Sequence, residues 1–482
     1  MSTSSPKWSR KSAHRASGAR NAALAAVAAA FVAACSGGGG DAGIGLPPGQ
    51  GPINWGAVQT LATNANNVTP PAAVFGANGT VSVLWGQIGM PLPGGGTSTV
   101  PLVGVRENTS GTTTFTTAES IDETLAFNAA DVISDLRGER SAFGSMAVWR
   151  RQLSGSGTRL VSAVREANGW GVLPIATPSA GSVADDLTFA ANDAGAQVAV
   201  WTQIDINANG VRRVRLSARS GAAGWSQALS VSGTTQDASQ PTVAIDSAGV
   251  AMIVWRQGAA TGVLRARSYN TTTGQFGNEL EVDPGQFTND TRNPHVVALA
   301  PGSFLATWEQ AGLGGAYDMR ANTGSATAWQ VVSATLELGA GTVDQSLVVA
   351  GPNATAYAVW RQNSTIFFGR YAAGTWSVAR QVSGTVASHT PRVAVDGNGN
   401  GNGNAIFVWL QTPSGGFDDL FYATFTASNS AISGAFQLDT EATGAAASPS
   451  LSVAANGAAV VAWLQNVGGQ SNPNVVARVF RP

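Results

Sequence analysis

The sequence predicts an all-β chain built from eight copies of one four-stranded unit. Three observations indicate this: tryptophans recur about every 50 residues, most are followed two residues later by glutamine, and no stretch beyond residue 35 has a helical period. The repeated tryptophans are Trp85, Trp149, Trp201, Trp255, Trp308, Trp360, Trp409 and Trp463.

Each unit reads as four short strands separated by turn residues. In the copy from 240 to 270, an apolar run follows Pro241, an Asp-x-x-Gly turn begins at Asp246, and an alternating run ends at Trp255 and Gln257. A third run follows, and then a short segment with an aromatic residue after glycine. Short runs rich in β-branched and aromatic residues are typical of strands between tight turns.

A period near 50 residues with four strands per repeat is typical of β-propeller blades, whereas β-helices repeat over much shorter units. Eight such units account for nearly all of the chain after residue 54. The sequence therefore predicts one eight-bladed β-propeller over residues 54–482, with a seven-bladed ring as the alternative.

The two ends of this domain predict how the ring closes. The last unit reaches its third strand at 474–480 and lacks a fourth, while residues 54–64 read as an orphan fourth strand with Trp55 at the aromatic position. Pairing these two segments would complete the eighth blade and leave no open strand edge at the seam.

The repeated side chains have expected structural roles in this layout. One tryptophan per blade would fill the wedge between neighbouring blades. Two interpretations of the glutamines stay open: they satisfy backbone groups of the adjacent turn, or they form a ring of amides at one mouth of the channel that binds a polar polymer such as a glycan. This possible ligand ring contains Gln87, Gln203, Gln257, Gln310, Gln362, Gln411 and Gln465.

The N-terminus resembles a bacterial lipoprotein signal. Five basic residues precede the apolar run Ala22–Ala34, which is too short to span a bilayer and ends at Cys35, the only cysteine of the chain. The resemblance implies that residues 1–34 are a signal peptide and that Cys35 is lipidated, with palmitate among its acyl chains. An ordinary secretory signal is the alternative.

A glycine-rich segment at 35–53 follows, and we expect it to be a flexible tether. Several acyl chains would make membrane attachment effectively permanent. Ser36 rather than aspartate after the cysteine implies, by the sorting pattern of such lipoproteins, the outer membrane of a Gram-negative bacterium. The predicted partners are the membrane, through this anchor, and an unknown protein or glycan.

Composition excludes several classes of function. Five of the 27 basic residues lie before residue 35, none of the 28 acidic residues does, and both lysines, Lys7 and Lys11, are among those five. The remainder of the chain is therefore acidic, which argues against nucleic-acid binding. Without lysine it cannot perform Schiff-base or P-loop chemistry, and we predict no cofactor.

Few residues suggest catalysis or metal binding. His295 and His389 are the only histidines after the predicted signal, and neither has clustered partners in the sequence, so no catalytic residue is predicted. Asp396, Asn398 and Asn400 lie in a turn rich in glycine and asparagine. They are calcium candidates, and a flexible expansion of an ordinary Asp-x-x-Gly turn is the alternative interpretation.

The Asp-x-x-Gly turn with a downstream tryptophan resembles, at a distance, the Asp-box repeats of sialidase-like propellers, although Trp255 follows Gly249 by six residues rather than two. The blade count and anchor are similar to those of the eight-bladed propeller lipoprotein that assists outer-membrane protein assembly, a likeness of architecture. We therefore predict a non-catalytic lipoprotein that binds a protein or glycan. A glycan-active enzyme on a sialidase-like frame is the alternative. Loops at 88–101 and 116–140 are the expected contact surface.

Overall fold

In the computed structural model, eight four-stranded blades stand in a ring, which confirms the predicted eight-bladed β-propeller. The described residues form no helix, so none of them belongs to a helix able to cross a membrane. Residues 1–51 lie outside the description, as do Asn398 and Asn400. The structure describes residues 52–482 with short gaps at 77, 93, 110–111, 113, 123–127, 142–143, 155–156, 179–181, 205–209, 222, 260, 284–288, 313, 398–402, 414–415 and 441–443.

In seven blades the strands follow one another in chain order from the inner edge outwards. In blade 8 the outer strand comes from the N-terminal side of the domain. Blades 1 to 4 contain β2 (Ala72–Phe75), β3 (Val81–Gln87), β4 (Leu102–Asn108), β5 (Glu119–Ser120); β6 (Val132–Ser141), β7 (Gly144–Leu153), β8 (Gly157–Glu166), β9 (Gly169–Ala176); β10 (Val183–Ala191), β11 (Ala196–Ile204), β12 (Arg212–Ser220), β13 (Leu229–Ser230); β14 (Ala238–Ile245), β15 (Val250–Gln257), β16 (Val263–Asn270) and β17 (Gln275–Glu281).

In blades 6 and 7 the outer strand is split into two short pieces. Blades 5 to 8 contain β18 (Thr291–Ala300), β19 (Ser303–Ala311), β20 (Tyr317–Gly324), β21 (Ala334–Thr335); β22 (Val343–Gly351), β23 (Thr355–Gln362), β24 (Thr365–Ala372), β25 (Thr375–Trp376), β26 (Arg380–Gln381); β27 (Ser388–Val395), β28 (Ala405–Gln411), β29 (Asp419–Thr426), β30 (Ala431–Ile432), β31 (Phe436–Gln437); β32 (Ala446–Val453), β33 (Ala459–Gln465), β34 (Asn474–Phe480) and β1 (Gln59–Ala62).

The first strand of each blade is the innermost. Each first strand contacts the first strands of the two adjacent blades, and β32 of blade 8 contacts β2 of blade 1, so the eight strands surround one axis. The free edges of these strands therefore line an axial channel.

The ring closes as the sequence predicts. Strand β1 pairs antiparallel with β34, with Gln59 opposite Ala477, and the Gly56 amide donates to the Val479 carbonyl at 3.0 Å. Trp55 packs beside this pairing with its ring centroid 6.1 Å from that of Phe480. Because β1 covers the outer edge of β34, the seam has no unpaired strand edge.

The eight repeated tryptophans are core residues, each at most 1% exposed. Trp255 of blade 4 packs with Val200 and Leu216 of blade 3, and Trp85 of blade 1 packs with Ala462 of blade 8 in the same way. Each indole thus fills the wedge towards the preceding blade, as predicted. Truncating a buried tryptophan to alanine typically costs about 3–5 kcal/mol, so these contacts supply much of the stability between blades.

The second strands end, and the first strands begin, on one side of the ring. We call this side the mouth face; it carries the loops that join second to third strands and the loops that join one blade to the next. The expected loop at 88–101 lies here, but the expectation of one long loop at 116–140 is wrong, because Val132–Ser141 forms β6, the inner strand of blade 2. This strand is polar and lacks the apolar run of its counterparts.

Candidate functional site

A hydrogen bond links seven of the eight repeated tryptophans to the glutamine two residues later. The indole Nε1 donates to the glutamine Oε1 in all seven blades that have the Trp-x-Gln sequence, at 2.8 Å for both Trp255 and Trp463. The other five distances lie between 2.9 and 3.5 Å, at Trp85, Trp201, Trp308, Trp360 and Trp409.

The opposite end of the glutamine amide holds a loop of the mouth face. In four blades Nε2 donates to a carbonyl of the loop that precedes the blade's first strand: Gln257 to Gln236 at 2.7 Å, and likewise Gln310 to Asn289, Gln362 to Leu338 and Gln465 to Gly444. These bonds confirm the backbone-satisfying interpretation for those blades. The alternative role of the ring in ligand binding stays a prediction.

Blade 2 departs from this arrangement. Arg151 stands two residues after Trp149, is fully buried, and forms ion pairs of 3.3 Å with both Asp122 and Asp131. The indole Nε1 of Trp149 has no hydrogen-bond partner among the described atoms, and Gln152 instead donates to Gly157 at 3.0 Å. The change from Trp-x-Gln to Trp-x-Arg is the sequence signal that could have identified this cation.

A ring of strained polar residues surrounds the mouth of the channel. In blades 2 to 8 the first strand bulges opposite the repeated tryptophan, and the first bulged residue has a φ between 50° and 53°. This left-handed conformation is uncommon for residues other than glycine. We call these residues the rim: Asp135, Asp186, Gln240, Asn293, Gln345, Thr390 and Ser448.

Rim residues are hydrogen-bonded from blade to blade. The Gln240 amide donates to Asp186 Oδ2 at 3.3 Å, the Asn293 amide to Gln240 Oε1 at 2.9 Å, and the Thr390 amide to Gln345 Oε1 at 2.6 Å. Asp186, Gln240 and Gln345 are exposed and the other rim residues are half-buried. All seven are polar or charged, so the mouth presents donors and acceptors in a repeating geometry.

Ion pairs stand next to the rim in several blades. Arg150 contacts Asp135 at 3.0 Å, and the Arg292 Nε lies 2.7 Å from a carboxylate oxygen of Glu309. Further pairs join Arg256 with Asp290 and Arg361 with Asp344, and His389 Nε2 lies 3.2 Å from Asp418 Oδ2. Charges of both signs therefore surround the channel mouth.

The mouth face also carries apolar side chains. Eight large hydrophobic residues are exposed in the described part of the chain, and five of them lie on this face. Phe417 is 51% exposed in the loop between β28 and β29. The others are Val132, Val183, Leu338 and Val386.

The calcium candidate Asp396 is 5% exposed and accepts both hydrogen bonds of Asn404, at 2.6 Å from its amide and 2.9 Å from Nδ2. Asn398 and Asn400 lie outside the described residues. Within residues 52–482, gaps excepted, no three histidine, cysteine or acidic side chains group closely enough to hold a metal ion. The calcium hypothesis stays a prediction.

A surface pocket of about 370 Å³ lies away from the mouth, beside the outer strands of blades 6 and 7. Arg370, Trp376 and Arg380 line it, and none of its lining residues is acidic. The paired carboxylates that glycoside hydrolysis ordinarily requires are therefore missing from this pocket.

Asp283 is a buried acid that accepts a backbone hydrogen bond from the third strand of blade 4. Its Oδ1 accepts the Leu264 amide of the third strand at 2.9 Å, and burial raises the pKa of its carboxyl group to about 7. In blades 3 and 6, Ser232 and Ser383 accept the corresponding third-strand amides at 3.0 and 2.9 Å. A neutral hydroxyl can therefore accept this backbone hydrogen bond in place of the ionisable carboxyl group of Asp283.

No protein-family model and no curated protein matches the chain. Among solved structures, a lectin from Burkholderia pseudomallei matches 79% of this chain and 100% of its own at 14% identity and a TM-score of 0.44. An α-L-arabinofuranosidase from Fusarium graminearum matches 89% of this chain and 98% of its own length, at 10% identity and a TM-score of 0.41. The hemagglutinin-neuraminidase of parainfluenza virus 5 matches 62% of this chain and 90% of its own length, at 9% identity and a TM-score of 0.35. Because the identities and TM-scores are this low, the proposed function is argued from the residues of this chain alone.

We expect Asp283→Ser to stabilise the protein at pH 8 by about 2–4 kcal/mol and to have little effect at pH 4. The raised folded-state pKa means that the protonated form folds better, so the wild type loses stability as the pH rises from about 4 to 7. Urea unfolding at both pH values measures this, with Asp193→Ser at an exposed acid as control. An equal effect at both pH values would contradict the assignment.

Proposed function

We propose that this protein is a non-catalytic, membrane-anchored propeller that binds a protein or glycan partner through its mouth face. The observation that carries the proposal is the rim, where seven blades keep a polar residue in a strained left-handed conformation. Such conformations cost free energy and persist where the surrounding structure imposes them, often at functional sites.

The rigidity of the mouth face supports this role. Buried glutamines hold the loop carbonyls before the first strands of four blades, and inter-blade bonds such as that from Asn293 to Gln240 hold the rim. A preorganised surface loses little conformational entropy when a partner binds.

The chemistry of the face suits an extended partner with polar and apolar groups. The rim offers amides, carboxylates and hydroxyls, the adjacent ion pairs offer both signs of charge, and Phe417 and Leu338 offer apolar contact area. Interfaces with proteins combine such groups, and glycans require the same mixture of hydrogen bonds and apolar stacking.

Attachment to the outer membrane through Cys35 completes the proposal. The lipoprotein-like signal at 1–34 and the glycine-rich tether at 35–53 support it. The tether would let the propeller reach a partner at a distance from the bilayer.

A photo-crosslinking amino acid tests which face binds. At Phe417, on the mouth face, it should capture a defined partner in intact cells, or a defined glycan from an array. At Val378, which is 74% exposed on the outer part of blade 6, it should capture neither. Partner binding should also weaken about tenfold in Phe417→Ser and stay unchanged in Val378→Ser. Crosslinking from Val378 alone, or turnover of sialosides or polysaccharides by the wild type, would contradict the proposal.

The anchor is tested by Cys35→Ala. The wild type should fractionate with outer membranes and incorporate labelled palmitate, whereas the variant should do neither. Ser36→Ala, next to the cysteine, should retain the label and serves as the control. Membrane retention and labelling of Cys35→Ala would show that the cysteine is not the attachment site.

A further inference from the structure

One position in each first strand lies opposite the residue that precedes the repeated tryptophan. We call it the channel position, and its register is the same in all eight blades. Its occupants, from blade 1 to blade 8, are Ala72, Arg137, Thr188, Thr242, His295, Leu347, Arg392 and Ser450.

In blades 2 and 8 the side chain at this position reaches the free inner edge of the next blade. Arg137 Nε donates to the Leu187 carbonyl at 3.1 Å, and Ser450 Oγ accepts the Ala73 amide at 3.0 Å. Since these edges line the channel and all eight blades share the register, the channel position lies beside the axis. Rim and channel positions are two residues apart, so the channel position lies just inside the mouth.

Three of the eight occupants are basic: Arg137 in blade 2, His295 in blade 5 and Arg392 in blade 7. These blades are not adjacent, so their side chains approach one another only across the axis. All three occupy the same register position around one axis. Consistent with this placement, burial first and then the charges of Arg137 and Arg392 lower the pKa of His295 to about 4. Arg137 also lowers the pKa of Arg392, after burial.

No acidic group neutralises this cluster among the described residues. Arg392 donates to the Pro391 carbonyl at 2.9 Å, and none of the described ion pairs involves Arg137, Arg392 or His295. The Nε2 of His295 is buried and has no hydrogen-bond partner, although its ring bonds to the Ser346 backbone.

Three acids lie near the cluster along the inner strands, and each has another partner or is buried. Asp135 pairs with Arg150 at 3.0 Å, and Asp186 accepts the Gln240 amide. Glu139 lies two residues beyond Arg137, and burial raises its pKa to about 8, which favours its neutral form. The cluster itself holds two guanidinium groups and no acid, so it has a net positive charge at neutral pH.

We propose that Arg137, His295 and Arg392 form an axial binding site for one small anion, a carboxylate or an inorganic oxyanion. Two guanidinium groups present planar arrays of donors that match such oxygens, and a desolvated cation favours a counter-ion. Arg137 is exposed and the other two are half-buried, so the site is accessible from the channel.

The anion can be free in solution, or it can be the acidic group of a chain that enters from the mouth. Both sources share one chemistry, and the experiment separates them. This site is independent of the partner proposed for the mouth face, because it requires only the channel residues.

The histidines provide a direct measurement. We expect inorganic phosphate to raise the pKa of His295, followed by its NMR ring signals, by roughly one to two, because an anion favours the charged imidazolium form. The shift should saturate with phosphate concentration. The His389 signals, from a histidine paired with Asp418, should show only the gradual effect of salt. Acetate, glucuronate and an acidic oligosaccharide form the remaining arms, with glucose as the neutral control.

Variants connect the signal to the cluster. Arg137→Gln and Arg392→Gln should each raise the phosphate concentration needed for half of the shift about tenfold. Arg140→Gln, in the same strand but paired with Asp193 at 3.5 Å, should leave it unchanged. If a glutamine variant does not fold, the lysine variant, which keeps the charge and loses the planar array, should show a smaller weakening.

The outcomes decide both the site and its source. Similar responses to phosphate and acetate assign a free small anion. A response to the acidic oligosaccharide at much lower concentration than to acetate assigns an acidic group carried on a chain. The proposal is overturned if the His295 signals stay unchanged in every arm, or if the glutamine variants respond as the wild type does.

Discussion

The hydrogen bond from the repeated indole to the following glutamine is the constraint on which the molecule depends. It satisfies a buried N–H that would otherwise cost about 1–3 kcal/mol, and it orients the amide so that its other end can hold a loop. In Trp255 and Gln257 one short sequence therefore fills the wedge between blades, ends the second strand and fixes the mouth face. Wedge packing and surface geometry thus have a common origin.

The two inner strands of each blade divide the physical tasks. The second strand is apolar and buried on both faces, and it supplies cohesion between blades. The first strand bulges opposite the tryptophan, and its left-handed residue costs about 1–2 kcal/mol when it is not glycine. Seven such residues are tolerated because the indole on one side and the adjacent blade on the other fix the conformation. The strain is concentrated at the mouth, where polar groups face solvent.

The sequence predicted the fold because the repeated tryptophan and glutamine are local signals with a fixed spacing. Trp55 even predicted the closing strand. The polar inner strand of blade 2 was missed, since the side chains of Arg137 and Glu139 give it no apolar alternation. The rim and the axial cluster were not predictable in the same way. Gln240 and Asn293 are neighbours only through the ring, and only the ring brings Arg137 of blade 2 and His295 of blade 5 to one axis.

Amide hydrogen exchange of Gln257→Leu tests the central claim that this glutamine fixes the mouth face. Loss of the amide should free the loop at Gln236 and Asp237, so the amides of Ala238 and Gly258, which border that loop, should exchange faster. Exchange in the other blades should stay unchanged, and Gln227→Leu at an exposed position should have no effect. Unchanged exchange at Ala238 and Gly258 in a folded Gln257→Leu protein would contradict the account.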